Sequence, residues 1–122
     1  MSYTIEQLPQ HHAILITFTE TFDVSTELAP CFTEVAALLD KSPISLTLIL
    51  DILQYPLSFE GLLDGTKIMM GGATNPIRHA KTKRYVAITS SPLINLSVDG
   101  FRKLGIGDVH TARSMEEVLR TL

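Results

Sequence analysis

The sequence predicts one α/β domain with a mixed, mainly parallel sheet and helices packed against it. Segments typical of strands alternate with segments typical of helices, in the order β-β-α-β-α-β-α-β-α. The apolar run at residues 46–50 contains a single Thr, which is typical of a strand buried on both faces. The 122 residues, 45% of them hydrophobic, are enough for one core, so residues 1–122 are expected to form a single domain.

The first two strands are expected to form a hairpin. The strand candidates Tyr3–Leu8 and Ala13–Phe18 are joined by a turn at residues 9–12 that begins with Pro9. A hairpin at the edge of the sheet would leave unpaired backbone groups, which is compatible with a homodimer.

A helix is expected to begin near Thr26 and to be stopped by Ser42-Pro43. Its start is placed there because Pro30 is tolerated only in the first turn of a helix. The apolar residues at helical spacing are Leu28, Cys31, Phe32, Val35, Leu38 and Leu39.

The central strand is predicted at residues 45–52, and Asp51 follows its apolar run. A loop then leads to a helix that begins near Phe59 and ends at Gly71-Gly72. Most of its apolar residues are expected in the core, and part of the helix is expected to face a partner or ligand. These residues are Phe59, Leu62, Leu63, Ile68, Met69 and Met70. Because open α/β sheets place function at the carboxyl ends of their strands, residues 51–61 are the first place to seek a site.

The remaining elements follow from turn and capping signals. Asn75-Pro76 marks a turn, residues 77–80 a short helical piece, and residues 85–90 a third apolar strand. A serine before Pro92 caps the next helix, which ends at Gly105. A weaker strand at residues 108–112 and a helix capped by Ser114 complete the order.

Composition and charge exclude several function classes. The net charge of −3 does not favour binding to nucleic acids or membrane surfaces, and no apolar run is long enough to span a bilayer. Cys31 is the only cysteine, and the amino terminus lacks a secretion signal, so a cytoplasmic protein is expected. His11 and His12 make a poor metal pair, and no cofactor fingerprint is present, so neither a metal nor a cofactor is expected.

Two stretches resemble the STAS domain family, the bacterial anti-sigma-factor antagonists and their relatives. LTLILD, at residues 46–51, matches the central strand of that family and its terminal acid. Residues 85–122 resemble its closing third: a strand, a helix ending in Leu-Gly-Ile, a short strand, Ser-x-Glu-Glu and a last helix. The resemblance implies a STAS-like fold and a role in bacterial regulation, with a kinase-type anti-sigma factor or another regulator as partner.

The resemblance does not extend to the family's phosphorylation motif, Asp-Ser-Ser-Gly or Asp-Thr-Ser-Gly. The matching segment here is Ser58-Phe59-Glu60-Gly61, with Gly61 at the glycine of the motif and Glu60 where the phosphorylated hydroxyl would be. The sequence is therefore closer to divergent STAS-like proteins without the switch serine, some of which relate in fold to lipid-carrying domains.

Each candidate residue has a structural and a functional interpretation. Ser58 is a helix cap or a phosphate acceptor, and Glu60 is a first-turn acid or a permanent mimic of the phosphorylated state. Asp51 is a carboxylate without a paired second acid. The basic run Arg78, His79, Lys81, Lys83 and Arg84 is a solvated loop or a site for an anionic head group or acidic partner.

Three functions are compared on these grounds. The first is a non-enzymatic interaction module whose surface is residues 51–61 and the following helix. The second is a carrier or sensor of a small apolar or lipid-like ligand, held against the helix from Phe59, with its anionic head on the basic run. An enzyme has the least support, because no catalytic constellation can be assembled.

Overall fold

A computed structural model describes residues 2–71, 76–103, 105 and 108–122 of the chain. The side chains of Met69 and Met70, and residues 72–75 with the predicted turn before Pro76, lie outside this description. The elements are β1 (Tyr3–Leu8), β2 (Ala13–Phe18), α1 (Val24–Lys41), β3 (Leu46–Asp51), α2 (Phe59–Gly71), β4 (Thr82–Ile88), α3 (Pro92–Lys103), β5 (Val109–Ala112) and α4 (Met115–Thr121). This is the predicted order.

The strands form one five-stranded sheet in the order β1-β2-β3-β4-β5. β1 runs antiparallel to β2, with Tyr3 opposite Phe18, and every other pair is parallel. β3 lies in the middle, where Ile49 sits between Leu15 of β2 and Val86 of β4. The predicted mixed, mainly parallel sheet is confirmed.

The two faces of the sheet are covered unequally. The front face carries α1, α2 and α3, as right-handed crossovers between neighbouring parallel strands require. The back face is covered by α4, whose Val118 packs on a smaller cluster. That back-face cluster consists of Ala13, Ile49, Val86, Ile88, Ala112 and Val118.

Helix α1 begins earlier than the sequence predicts. Its first residue is Val24, and Asp23 caps it by accepting a hydrogen bond from the Ser25 backbone N–H at 3.0 Å. Pro30 therefore lies in the second turn, where it cannot donate to the carbonyl of Thr26. The prediction of a start near Thr26 was wrong because the cap at Asp23 and the buried face of the helix outweigh the cost of one proline.

Strand β4 is shifted toward the amino end of the predicted segment. It spans Thr82–Ile88 and not residues 85–90, because the polar residues before Tyr85 pair with β3 at the start of the strand. Thr89 lies beyond the strand, although its backbone N–H still donates to the carbonyl of Ala112 at 2.9 Å.

Candidate functional site

Asp51 ends β3 and shapes the loop that follows. One of its carboxylate oxygens accepts a hydrogen bond from the backbone N–H of Leu53 at 3.1 Å. The backbone N–H of Ile52 donates to the carbonyl of Ile88 at 3.1 Å, so the chain stays attached to β4 for one residue beyond the strand. Asp51 thus stabilises the turn by which the chain leaves the sheet. Its position in the sequence did not indicate this role.

Tyr55 fixes the middle of the loop by packing into an aromatic cluster. The rings of Phe18 and Phe22 are stacked with their centroids 3.6 Å apart. The Tyr55 ring meets both of them edge-on, with centroid distances of 6.2 and 5.8 Å. Edge-to-face contacts of this kind add to the burial of aromatic surface, so the loop is anchored to β2 and to the segment before α1.

Ser58 caps α2, which is the structural role predicted for it. Its Oγ accepts a hydrogen bond from the backbone N–H of Gly61 at 3.0 Å, and its side chain is exposed. Glu60 is exposed in the first turn of α2 and makes no hydrogen bond or ion pair with the described residues. A free carboxylate is therefore held beside the positive end of the helix dipole.

Close packing at the start of α2 favours glycine at position 61. A Cβ atom at this position would lie 3.1 Å from the hydroxyl oxygen of Tyr55 and 3.3 Å from Oγ of Ser58. Both distances are tighter than ordinary carbon–oxygen contacts. The glycine that aligns with the STAS motif is thus explained by contacts within this loop.

Two large apolar side chains of α2 face water. Phe59 is 63% exposed and Leu63 is 46% exposed, and a spacing of four residues places them on the same side of the helix. Leu53, in the preceding loop, is 47% exposed. Most of the apolar residues of this helix were expected in the core, and this pair is an exception. We call Phe59 and Leu63 the α2 surface.

An apolar cavity of about 100 Å³ lies between the front face of the sheet and helices α1, α2 and α3. Its inner wall is formed by buried residues of the sheet and α1, such as Leu50, Ala87 and Phe32. Its outer wall comes from the half-buried Leu57 in the loop, Leu62 in α2 and other half-buried residues of α2 and α3. The cavity therefore reaches the surface on the side of α2 and α3.

The described hydroxyl groups of the cavity wall differ in their hydrogen bonding. Thr66 Oγ1 donates to the carbonyl of Leu62 at 2.8 Å, and Ser97 Oγ donates to the carbonyl of Leu93 at 3.0 Å. Tyr85 is 7% exposed, and its hydroxyl makes no hydrogen bond with the described residues. Burial raises the pKa of Tyr85 well above the ordinary value, with a smaller contribution from Cys31. The phenol therefore stays protonated and can act as a donor.

The basic run does not converge on one site. Arg84 lies 3.6 Å from Asp108 and donates to the carbonyl of Thr121 at 3.3 Å, so it joins β4 to the end of α4. Arg78 and Lys83 are exposed. None of the predicted anion-binding residues Arg78, Lys81, Lys83 and Arg84 lines the apolar cavity.

His79, which belongs to this basic run, has a structural role. Its Nε2 lies 2.6 Å from a carboxylate oxygen of Asp40, and its Nδ1 accepts a hydrogen bond from the Lys81 backbone N–H at 3.0 Å. This places the N–H of the ring on Nε2, where it donates to Asp40 and ties the segment before β4 to α1.

Two further features are absent from the described part of the chain. No three His, Cys, Asp or Glu side chains are grouped as metal ligands there. Within the same residues, no helix combines the length and the apolar character needed to cross a bilayer.

The hypothesis of a ligand carrier placed a pocket against the helix from Phe59, and the cavity lies against that helix, but the sequence did not indicate Tyr85 as part of its wall. Tyr85 was assigned to a strand on the strength of its apolar neighbours. A phenol inside an otherwise apolar strand is a detectable signal, because a buried tyrosine hydroxyl ordinarily has a partner. The other walls of the cavity could not be predicted, since they come from segments of the sheet, α1 and α3 that are far apart in the chain.

Comparison with known proteins identifies the fold. No family model matches the chain, and no curated protein matches its sequence. The chain is similar to the solved structure of an uncharacterized protein of the DUF3478 family with a SpoIIAA-like fold from Shewanella loihica PV-4. The TM-score is 0.61 at 15% identity, over 98% of this chain and 91% of that one. The chain therefore has a SpoIIAA-like fold, in agreement with the divergent STAS-like domain that its sequence resembles.

Proposed function

We propose that this protein is a non-enzymatic regulatory module of the STAS type that binds a protein partner through the α2 surface. The observation that carries the proposal is the exposure of Phe59 and Leu63 on one side of α2. Large apolar side chains that remain in water beside a loop at the carboxyl end of a central strand are typical of interaction sites.

The charge around the α2 surface supports a particular kind of partner. Glu60 is exposed and unpaired among the described residues, and it follows Phe59 directly. A partner with an apolar pocket bordered by basic side chains would complement both features. A kinase-type anti-sigma factor or another regulator is the class that the resemblance implies. Because Glu60 occupies the position of the phosphorylated hydroxyl, binding is expected without phosphorylation.

Site-specific photocrosslinking tests this proposal. A benzoylphenylalanine at position 63 should give a defined adduct with a protein from the producing organism, and Phe59→Asp should reduce its yield at least tenfold. The matched control carries the photocrosslinker at Leu119, an exposed apolar residue of α4 that is 37% accessible.

The control decides what an adduct means. Adducts of equal yield and mass from positions 63 and 119 would contradict a specific surface, as would an adduct that persists undiminished in Phe59→Asp. An adduct of twice the protein's own mass would identify a second copy as the partner, which light scattering of the unmodified protein would then have to confirm.

The apolar cavity favours a second candidate function, the binding of a small apolar molecule. Its volume of about 100 Å³ is well below the several hundred Å³ of typical sites for drug-sized ligands. A long acyl chain therefore does not fit, and the basic run is not at the wall to hold an anionic head. Intact mass spectra of the protein from its own host test this candidate: an added mass in the native but not the denatured spectrum supports it. One added phosphate at Ser58 would instead restore the phosphoswitch.

A further inference from the structure

Two hydroxyl groups of the cavity wall, those of Tyr55 and Tyr85, make no hydrogen bond with the described residues, and of these two Tyr85 is the buried one. The hydroxyls of Thr66 and Ser97 are each bonded to a carbonyl of their own helix. The hydroxyl of Tyr85 has no such bond within the described residues, although the side chain is more than nine-tenths buried. A hydroxyl in the wall of an apolar cavity that bonds to no described protein atom can donate to a molecule that enters the cavity.

The cavity suits a mainly apolar molecule better than it suits water. The polar side chains of its described lining are few, namely Tyr55, Thr66, Tyr85 and Ser97. The wall around Tyr85 is formed by side chains such as Leu28, Phe32, Ala87 and Val98. A mainly apolar molecule would gain from these contacts, which a water cannot use, and its acceptor could in addition bond to the hydroxyl of Tyr85.

We propose that the cavity binds a compact, neutral and mainly apolar molecule whose one hydrogen-bond acceptor, such as a carbonyl oxygen, accepts from the hydroxyl of Tyr85. This deepens the second candidate function and rests on it. A volume of about 100 Å³ limits the enclosed part of the ligand to about six non-hydrogen atoms, because a cavity of about 150 Å³ binds benzene, and any further atom would extend toward the surface opening. A charged ligand is disfavoured, because no Asp, Glu, Lys, Arg or His is among the described lining residues.

Two probes of the same shape test the role of the acceptor. Cyclohexanone carries a carbonyl oxygen at the position where methylenecyclohexane carries a methylene group, and the two molecules are otherwise alike. Titration of each probe into the full chain, followed by methyl NMR, should shift signals of the lining residues Leu28, Leu50 and Val98. We expect cyclohexanone to bind about fivefold to tenfold more tightly than methylenecyclohexane, the value of one neutral hydrogen bond in a dry site.

The variant Tyr85→Phe removes the hydroxyl and keeps the shape of the ring. It should abolish the preference for cyclohexanone while leaving the affinity for methylenecyclohexane unchanged. Its urea midpoint should be no lower than that of the unaltered protein, because the lost hydroxyl had no partner. The matched control is Tyr3→Phe, a buried tyrosine on the same face of the sheet that does not line the cavity and donates to Glu34 at 3.0 Å. This control should retain the preference.

The outcomes separate the inference from the function on which it rests. Shifts at the lining residues with equal affinity for both probes would overturn the role of Tyr85 and leave an apolar site. An absence of shifts with either probe near its solubility limit would overturn both. Retention of the cyclohexanone preference in Tyr85→Phe would also overturn the inference, because another group would then be the donor.

Discussion

At the scale of single residues, Ser58 has a structural role that can be separated from modification. Ser58→Ala should lower the free energy of unfolding by about 1 kcal/mol, because the N–H of Gly61 loses its acceptor. Ser58→Asn keeps a capping oxygen but cannot be phosphorylated, and it should remain within about 0.5 kcal/mol of the unaltered protein. Urea unfolding measures both values. If Asn is as destabilising as Ala, the capping role is wrong.

Gly61 and Gly65 form a second matched pair within α2. A Cβ at Gly65 would make ordinary contacts of 3.8 Å with Leu28 and Val24, whereas a Cβ at Gly61 would be 3.1 Å from the Tyr55 hydroxyl oxygen. Gly65→Ala should therefore stabilise the protein by about 0.5–1 kcal/mol through helix propensity and packing. Gly61→Ala should lack this gain, with a free energy of unfolding about 1 kcal/mol below that of Gly65→Ala.

Removal of the Tyr55 hydroxyl is the control for the comparison of Gly61→Ala with Gly65→Ala. In a Tyr55→Phe background, Gly61→Ala should recover a large part of the difference, because one of the two close contacts is gone. Equal stabilities of the two alanine variants in the original background would show that Tyr55 moves aside without cost.

At the scale of elements, α1 contains a proline that the helix tolerates but does not need. Pro30 is exposed, and it leaves the carbonyl of Thr26 without the N–H of an ordinary residue at position 30. Pro30→Ala should raise the free energy of unfolding by about 1–3 kcal/mol, measured by urea unfolding. Ala29→Gly, at the neighbouring exposed position, is the control and should lower it by about 1 kcal/mol. A loss of stability in Pro30→Ala would indicate that the proline acts mainly by restricting the unfolded chain.

The elements also show how far sequence reasoning extends. Apolar runs, caps and turns were enough for the order of all strands and helices, because each of these signals is local. The start of α1 and the bounds of β4 could not be predicted in this way, since they depend on Asp23 as a cap and on how Thr82 and Arg84 pair with β3. The side of α2 that faces water could not be predicted either, because the apolar residues of this helix surround more than one side.

At the scale of the whole molecule, the tyrosines predict a loss of stability in alkaline solution. Burial, and after it the hydrogen bond to Glu34, raises the pKa of Tyr3 to about 12, and burial also raises the pKa of Tyr55 and Tyr85. In the unfolded chain these phenols titrate near pH 10. Above that pH the folded state binds more protons than the unfolded state, so stability is retained below pH 10 and lost as pH rises toward 12.

Urea unfolding at pH 8 and pH 11 measures this loss, and one substitution identifies its source. Tyr85→Phe removes a buried phenol, so its stability should fall less between the two pH values than that of the unaltered protein. An equal fall in both proteins would assign the alkaline loss to other groups.

The candidate site was predictable in position but not in chemistry. The sequence placed Asp51, Ser58, Glu60 and Gly61 near the carboxyl end of the central strand, and the structure finds them there. It could not show that Asp51 binds its own loop, nor that Tyr85 lines a cavity with a hydroxyl that bonds to no described residue. Both depend on distances between segments far apart in the chain, which local patterns do not contain.

The unequal covering of the sheet has a consequence for the order in which the protein forms. Ribosomes synthesise a chain from its amino end at about 5–20 residues per second, and finished parts begin to fold before the rest exists. All five strands and the three front helices precede α4, so the sheet can assemble while Ile49, Val86 and Ile88 still face water. A helix of seven residues is too short to be stable alone, so α4 is expected to form only as it docks. Until that last step the nascent domain presents an apolar sheet face, and it is in this interval that chaperones would bind it.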